Sequence, residues 1–137
     1  SYGMREEGKD WTGNSTYQWA IAAAAYMALL GPAGFRELGE LIIQRAHYCA
    51  SLLDEVDGVR VLSKRSFFKE FVVNFDATGK RVADIDAALL RRDIFGGVDL
   101  SEAFPQLGQS ALYCVTERHT QADIRRLADS LAEVLRT

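Results

Sequence analysis

Residues Gly13 to Leu38 read GNSTYQWAIAAAAYMALLGPAGFREL, and the fold turns on this stretch. Asn14, Ser15 and Thr16 are short and polar, each able to accept a hydrogen bond from the free N–H groups of a helix start. Eleven residues without a charge follow, from Ala20 to Leu30. Gly31-Pro32 interrupts the run, and Pro suits the first turn of a new helix. The pattern predicts a first helix over about 16–30 and a second from about Pro32. A helix apolar on every side must be buried on every side. A chain of 137 residues has little with which to surround it. The run therefore predicts packing against something this sequence does not carry.

Downstream, Phe35, Leu38, Leu41, Ile42, Ala46, Cys49, Leu52 and Leu53 keep helical spacing until Asp57-Gly58 turns the chain. Val59–Ser63 and Lys69–Phe75 read as strands, the second rich in β-branched and aromatic residues. After the turn DATGK (76–80), Val82, Ile85, Leu89 and Leu90 mark a helix. Ile94–Gly97 reads as a short extended piece, Leu100–Gly108 as a loop, and Ser110–Thr116 as a strand. Thr120 and Asp123 stand at capping-box spacing before a last helix with Ile124, Leu127, Leu131, Val134 and Leu135 on one stripe. The order α-α-β-β-α-β-β-α predicts an α+β, two-layer domain: a small, mostly antiparallel sheet packed on helices. Residues 1–15 read as a polar lead-in segment and residues 16–137 as one domain.

Composition narrows the function. Sixteen basic against nineteen acidic residues give a net charge of −3, which argues against a nucleic-acid or anionic-membrane partner. The apolar run is too short to span a bilayer, which needs about 20 residues. Cys49 and Cys114 lack metal-ligand spacing and read as buried free thiols of a reducing, cytoplasmic setting. The two histidines, His47 and His119, form no metal-ligand pattern.

The series GNSTYQ, YMALLGPAGFREL, QRAHYCASLL (44–53), FFKEFVVNF (67–75), GGVDL (96–100) and CVTERHTQADIRRLADSL (114–131) resembles subunit 1 of the glycine-decarboxylating P-protein of the glycine cleavage system. The resemblance runs from about Arg5 to the C-terminus and rests on the whole series, since no single piece is a catalytic signature. It implies the C-terminal small domain of a pyridoxal-phosphate (PLP) enzyme with the aspartate-aminotransferase-type fold (fold type I), preceded by a large domain. It further implies an oxidoreductase of glycine catabolism: glycine is decarboxylated and its aminomethyl unit passes to the lipoyl group of H-protein. The partners implied are P-protein subunit 2 and lipoylated H-protein. PLP would be held covalently by a lysine of subunit 2. Lys9, Lys64, Lys69 and Lys80 agree with this, because all lie in charged, turn-like surroundings that leave a lysine solvated. No catalytic, cofactor-binding or metal-binding residue is expected here, and the isolated fragment is expected to be inactive.

What remains is a substrate cleft. A carboxylate is well held by a guanidinium, which offers a planar two-pronged donor. Related PLP folds often supply that arginine from the small domain near a late strand, and Thr116, Glu117 and Arg118 match the family segment at that place; solvated charges at the entry to the last helix are the plainer role for Glu117 and Arg118. Asn14 and Thr16 match the polar cluster before the first buried helix, where helix capping is the plainer role. Gly96 and Gly97 either bring backbone close to a cleft or only shape a turn, and the turn is preferred. Two other readings stand beside this one. One is the small domain of an aminotransferase or cysteine desulfurase. The other is a free-standing α+β module for an effector or partner, which should not leave Ala20–Leu30 exposed.

Overall fold

The computed structural model describes residues 16–63 and 66–136. Its two central strands, β2 (Glu70–Asn74) and β4 (Ser110–Cys114), run antiparallel, pairing Phe71 with Tyr113 and Val73 with Ala111. Those four side chains point to one face and are buried. Side chains on successive strand residues alternate between faces, so Val72 and Leu112 point the other way and stay half-buried. Two-residue strands complete the sheet, β1 (Arg60–Val61) beside β2 and β3 (Val98–Asp99) beside β4, in the order β1-β2-β4-β3, antiparallel throughout.

The described helices are α1 (Tyr17–Asp54), α2 (Val82–Leu90) and α3 (Gln121–Arg136), and the part of α1 from Leu38 onward covers the buried face together with α2 and α3. In α1, Ile42, Ala46, Cys49, Ala50 and Leu53 are buried at helical spacing. From α2 come Val82, Ile85 and Leu89; from α3 come Ile124, Ala128, Leu131 and Val134. Apart from Ile42, these form one apolar core together with Phe71, Val73, Phe75 and Tyr113. The α+β reading holds. The extended piece before β4 lies further along than the sequence suggests: pairing begins at Val98, after the glycine pair.

Local chemistry sets the ends. Thr120 and Asp123 form the expected capping box: Asp123 Oδ2 accepts the Thr120 N–H at 2.8 Å, and Thr120 Oγ1 accepts the Asp123 N–H at 3.2 Å. The first residue of α2 is capped from afar, its Val82 N–H donating to Gln109 Oε1 at 2.9 Å. Beyond α2, Asp93 N–H meets Leu90 O and Ile94 N–H meets Leu89 O, which is a Schellman ending. Asp93 has φ 56°, the left-handed position that glycine usually fills.

The chain divides into two units, Ser1–Glu37 and Leu38–Thr137. In the first, Gly31 has φ 57° and ψ −176°, a conformation essentially reserved for glycine, so the predicted break between two helical runs is present. Pro32 adds to it by disfavouring the helical conformation at the residue before it. Trp19 is 77% exposed and Leu29 86% exposed. No described helix is long and apolar enough to cross a membrane.

Two expectations need correction. Cys49 is buried, and burial pushes its thiol up to about 12, but Cys114 is exposed because it lies on the open face of the sheet. Leu127 is only half-buried, since the centre of the α3 stripe runs through Ile124, Ala128 and Leu131.

Leu131→Ala is expected to lower unfolding stability by about 2–5 kcal/mol, the range for truncating a buried leucine. Leu127→Ala should cost less; urea denaturation of both variants checks the order. Asp93→Gly should raise stability by roughly 0.5–1 kcal/mol by relieving the left-handed residue, measured the same way.

Candidate functional site

The six residues singled out from sequence fall in different places. Asn14 lies outside the described residues. Thr16 stands at the start of α1 in the first unit, where its carbonyl accepts the Ala20 N–H at 3.0 Å, as a helix-initiating residue does. The other four belong to the second unit.

Gly96 and Gly97 are needed for close approach. Neither has positive φ, so no left-handed backbone angle calls for glycine at either position. A Cβ at Gly97 would stand 2.8 Å from the Tyr113 ring and 2.9 Å from both Ala111 Cβ and Leu112 O. A Cβ at Gly96 would stand 1.9 Å from Asp86 Oδ1. The pair lets the chain leaving α2 pass flat against β4 before β3 begins.

This corner gathers groups that sequence reasoning missed. Asp86 Oδ1 is buried with no hydrogen-bond partner. Burial first, then the Asp99 carboxylate, pushes the Asp86 carboxyl up to about 6. The Tyr113 hydroxyl is buried as well, and burial followed by the Asp86 charge pushes the phenol up. The Gly97 N–H faces that hydroxyl without completing a hydrogen bond of good geometry. In sequence, Asp86 looks like one more polar residue of an amphipathic helix; only the glycine contact reveals its surroundings.

Glu117 and Arg118 sit in the turn between β4 and α3. His119 Nδ1 accepts the Thr116 N–H at 3.0 Å, which puts the proton of a neutral ring on Nε2. Thr116 Oγ1 accepts the Arg118 N–H at 3.3 Å, and Thr116 O accepts the His119 N–H at 3.2 Å. Arg45 on α1 donates from Nη1 to the Glu117 carbonyl. Arg118 itself is exposed. The ion pairs among the described residues, Arg81–Asp84 and Arg92–Glu133, do not involve it. An exposed guanidinium on a tied turn can receive a carboxylate.

A cavity of about 320 Å³ lies beside this turn, with Cys49, Gly96, Tyr113, His119, Arg126 and Leu127 among its walls. It joins one glycine to the histidine of the turn but includes neither Glu117 nor Arg118. A wider groove of about 640 Å³ follows α1 and α3 and mixes Glu55 and Asp129 with Arg125 and Arg136, with no nucleophile or base pair. No described group of histidine, cysteine and carboxylate side chains could hold a metal ion. Lys69 and Lys80 are half-buried at a strand start and a turn, and neither lines these cavities. The described residues therefore do not fit covalent attachment of PLP, which needs a lysine inside a pocket. Lys9 and Lys64 lie outside them.

No protein-family model matches the sequence. The chain is similar to a probable glycine dehydrogenase (decarboxylating) subunit 1 of Staphylothermus marinus, 45% identical over 116 residues, covering 85% of this chain and 25% of that protein. The corresponding protein of Desulfitobacterium hafniense is 36% identical over 115 residues, again with 25% of its length covered. Among solved structures, a crystal structure of glycine decarboxylase (P-protein) of the glycine cleavage system, in inhibitor-bound form, matches with TM-score 0.73 and 33% identity, over 81% of this chain and 24% of that one. The chain spans about a quarter of the length of the curated relatives it matches.

Asp86 gives a signed pH dependence. A carboxyl raised on folding favours the folded state while protonated, and that contribution is lost as pH rises through its folded value. The stability of the unaltered chain relative to Asp86→Asn should therefore fall between about pH 4 and pH 7. Denaturation of both proteins across that range checks it; parallel curves would place Asp86 in water.

Proposed function

We propose that this chain, homologous to a quarter-length stretch of glycine dehydrogenase (decarboxylating) subunit 1, is the C-terminal small domain of such a subunit. It works within the PLP-dependent P-protein of the glycine cleavage system. The observation that carries this reading is the joint match of sequence and fold, 33% identity at TM-score 0.73 over 81% of the chain. In the assembled enzyme glycine loses its carboxyl group, and the aminomethyl unit is handed to the lipoyl group of H-protein. PLP supplies the electron sink for that step, and on the family resemblance its lysine comes from subunit 2.

On this reading the domain contributes shape and substrate contacts. Residues 1–15 lead in from the large domain, and residues 16–137 make up the small one. The exposed, uncharged helix over Tyr17–Leu30 is the surface that the large domain covers, because contiguous apolar area of this kind belongs to an interface. Arg118 is the group offered to the carboxylate of glycine, with Glu117 beside it. On the family resemblance, Asn14, Thr16, Gly96 and Gly97 are further candidates for contact with the substrate in the assembled enzyme. The enzyme works in the cytoplasm, consistent with two unpaired thiols.

Exchange of the glycine carboxyl with labelled bicarbonate tests the assignment. The full-length subunit, its subunit 2, PLP and lipoylated H-protein together should give exchange, and each subunit alone should give none. Absence of exchange with every component folded and present would overturn it.

A further inference from the structure

The Glu117–Arg118 peptide group is fastened at both ends. Its carbonyl accepts from Arg45 Nη1, and its N–H donates to Thr116 Oγ1 at 3.3 Å. A peptide group is planar, so two hydrogen bonds on opposite edges fix the orientation of the whole plane. That plane carries the Cα of Arg118. The Thr116 bond is local and moves with the turn, whereas Arg45 lies 72 residues away on α1 and ties the turn to the core.

Arg45 is built for this. It follows the buried Ile42 by three positions and precedes the buried Ala46, so its stem runs along the packed stripe and its head emerges at the edge, half-buried. Among the described residues no carboxylate lies within ion-pair distance of it. A half-desolvated guanidinium spent on a neutral carbonyl gives up the stronger carboxylate bond, and what the arrangement gains is a fixed peptide.

We infer that Arg45 is a positioning residue: by anchoring the Glu117 carbonyl it sets the direction in which Arg118 leaves the turn. This rests on the reading of Arg118 as the partner of the glycine carboxylate. Arg45 touches no substrate and acts only through the turn. Its loss leaves the chemistry intact and spreads Arg118 over more orientations, which weakens glycine binding.

The test uses the assembled two-subunit enzyme with PLP and H-protein, varying glycine. Arg45→Ala should raise the KM for glycine roughly tenfold with kcat within about twofold, the signature of lost binding rather than lost chemistry. Arg45→Lys should recover part of the loss. In an Arg118→Ala background, Arg45→Ala should add nothing, as expected for two residues acting as one unit. Hydrogen exchange of the peptide spanning 114–120 should quicken in Arg45→Ala. If that variant does not fold, Arg45→Gln, which keeps a donor without the charge, takes its place. An unchanged KM with unchanged exchange overturns the inference, as does an equal loss in both backgrounds. A normal KM in Arg118→Ala overturns the carboxylate reading instead; quickened exchange in Arg45→Ala would then still identify the anchor of the turn.

Discussion

The register of β2 against β4 is the constraint on which the rest depends. Pairing Phe71 with Tyr113 and Val73 with Ala111 places both aromatic rings, with Val73 and Ala111, on the helical side. A slip of one residue would carry Val72 and Leu112 inward and expose both aromatic rings. Polar residues at and just beyond one end of the strands lock this register. Asn74 Nδ2 donates to Asp76 Oδ2, to Leu107 O and to Ser110 Oγ, all at 2.9–3.0 Å. Asp76 Oδ1 accepts the Gln109 N–H at 2.8 Å, and Asn74 and Gln109 together depress the Asp76 carboxyl. Gln109 in turn caps α2, so one polar cluster sets both the strand pairing and the start of a helix.

At the other end of β4 the same strand delivers the candidate site. Val115 N–H still bonds Lys69 O at 2.9 Å; past it the chain leaves the sheet and turns into α3 within five residues. The turn is rigid because it is tied in two senses. Internally, Thr116 and His119 exchange bonds across it; externally, Arg45 holds its middle. His47, two residues further along α1, stacks on Phe67 with ring centroids 4.1 Å apart and meets the Phe67 carbonyl through Nε2. One turn of α1 thus holds both the segment leading into β2 and the segment leaving β4.

Much of this was legible in the sequence because it follows from periodicity and punctuation. β-Branched and aromatic residues marked β2, helical spacing marked α2 and α3, and Thr120 with Asp123 announced the last helix. Gly31-Pro32 marked the break in α1. Contacts between residues far apart in the chain were not legible. The role of the glycine pair depends on Asp86 and Tyr113, which share no local pattern with it. A strand of two residues leaves no periodic trace, so β3 was placed too early. Arg45 did carry a signal, a lone cation at the border of a buried stripe, but its partner is a backbone carbonyl, and every sequence has one at each position. For the candidate site, Glu117 and Arg118 were singled out in the sequence, whereas the tie from Arg45 to their peptide group was not.

The brevity of β1 and β3 governs how the sheet behaves when the chain is handled on its own. Each border of the sheet offers two residues of backbone, and Arg60 and Asp99 put charges there. A stub of that length is a poor template for an incoming strand. The sheet is therefore protected against growth into fibrils even though one of its faces is uncovered. When such a domain is handled alone, loss of solubility should proceed through its oily first helix rather than through its sheet, and remedies aimed at the strands would be misdirected.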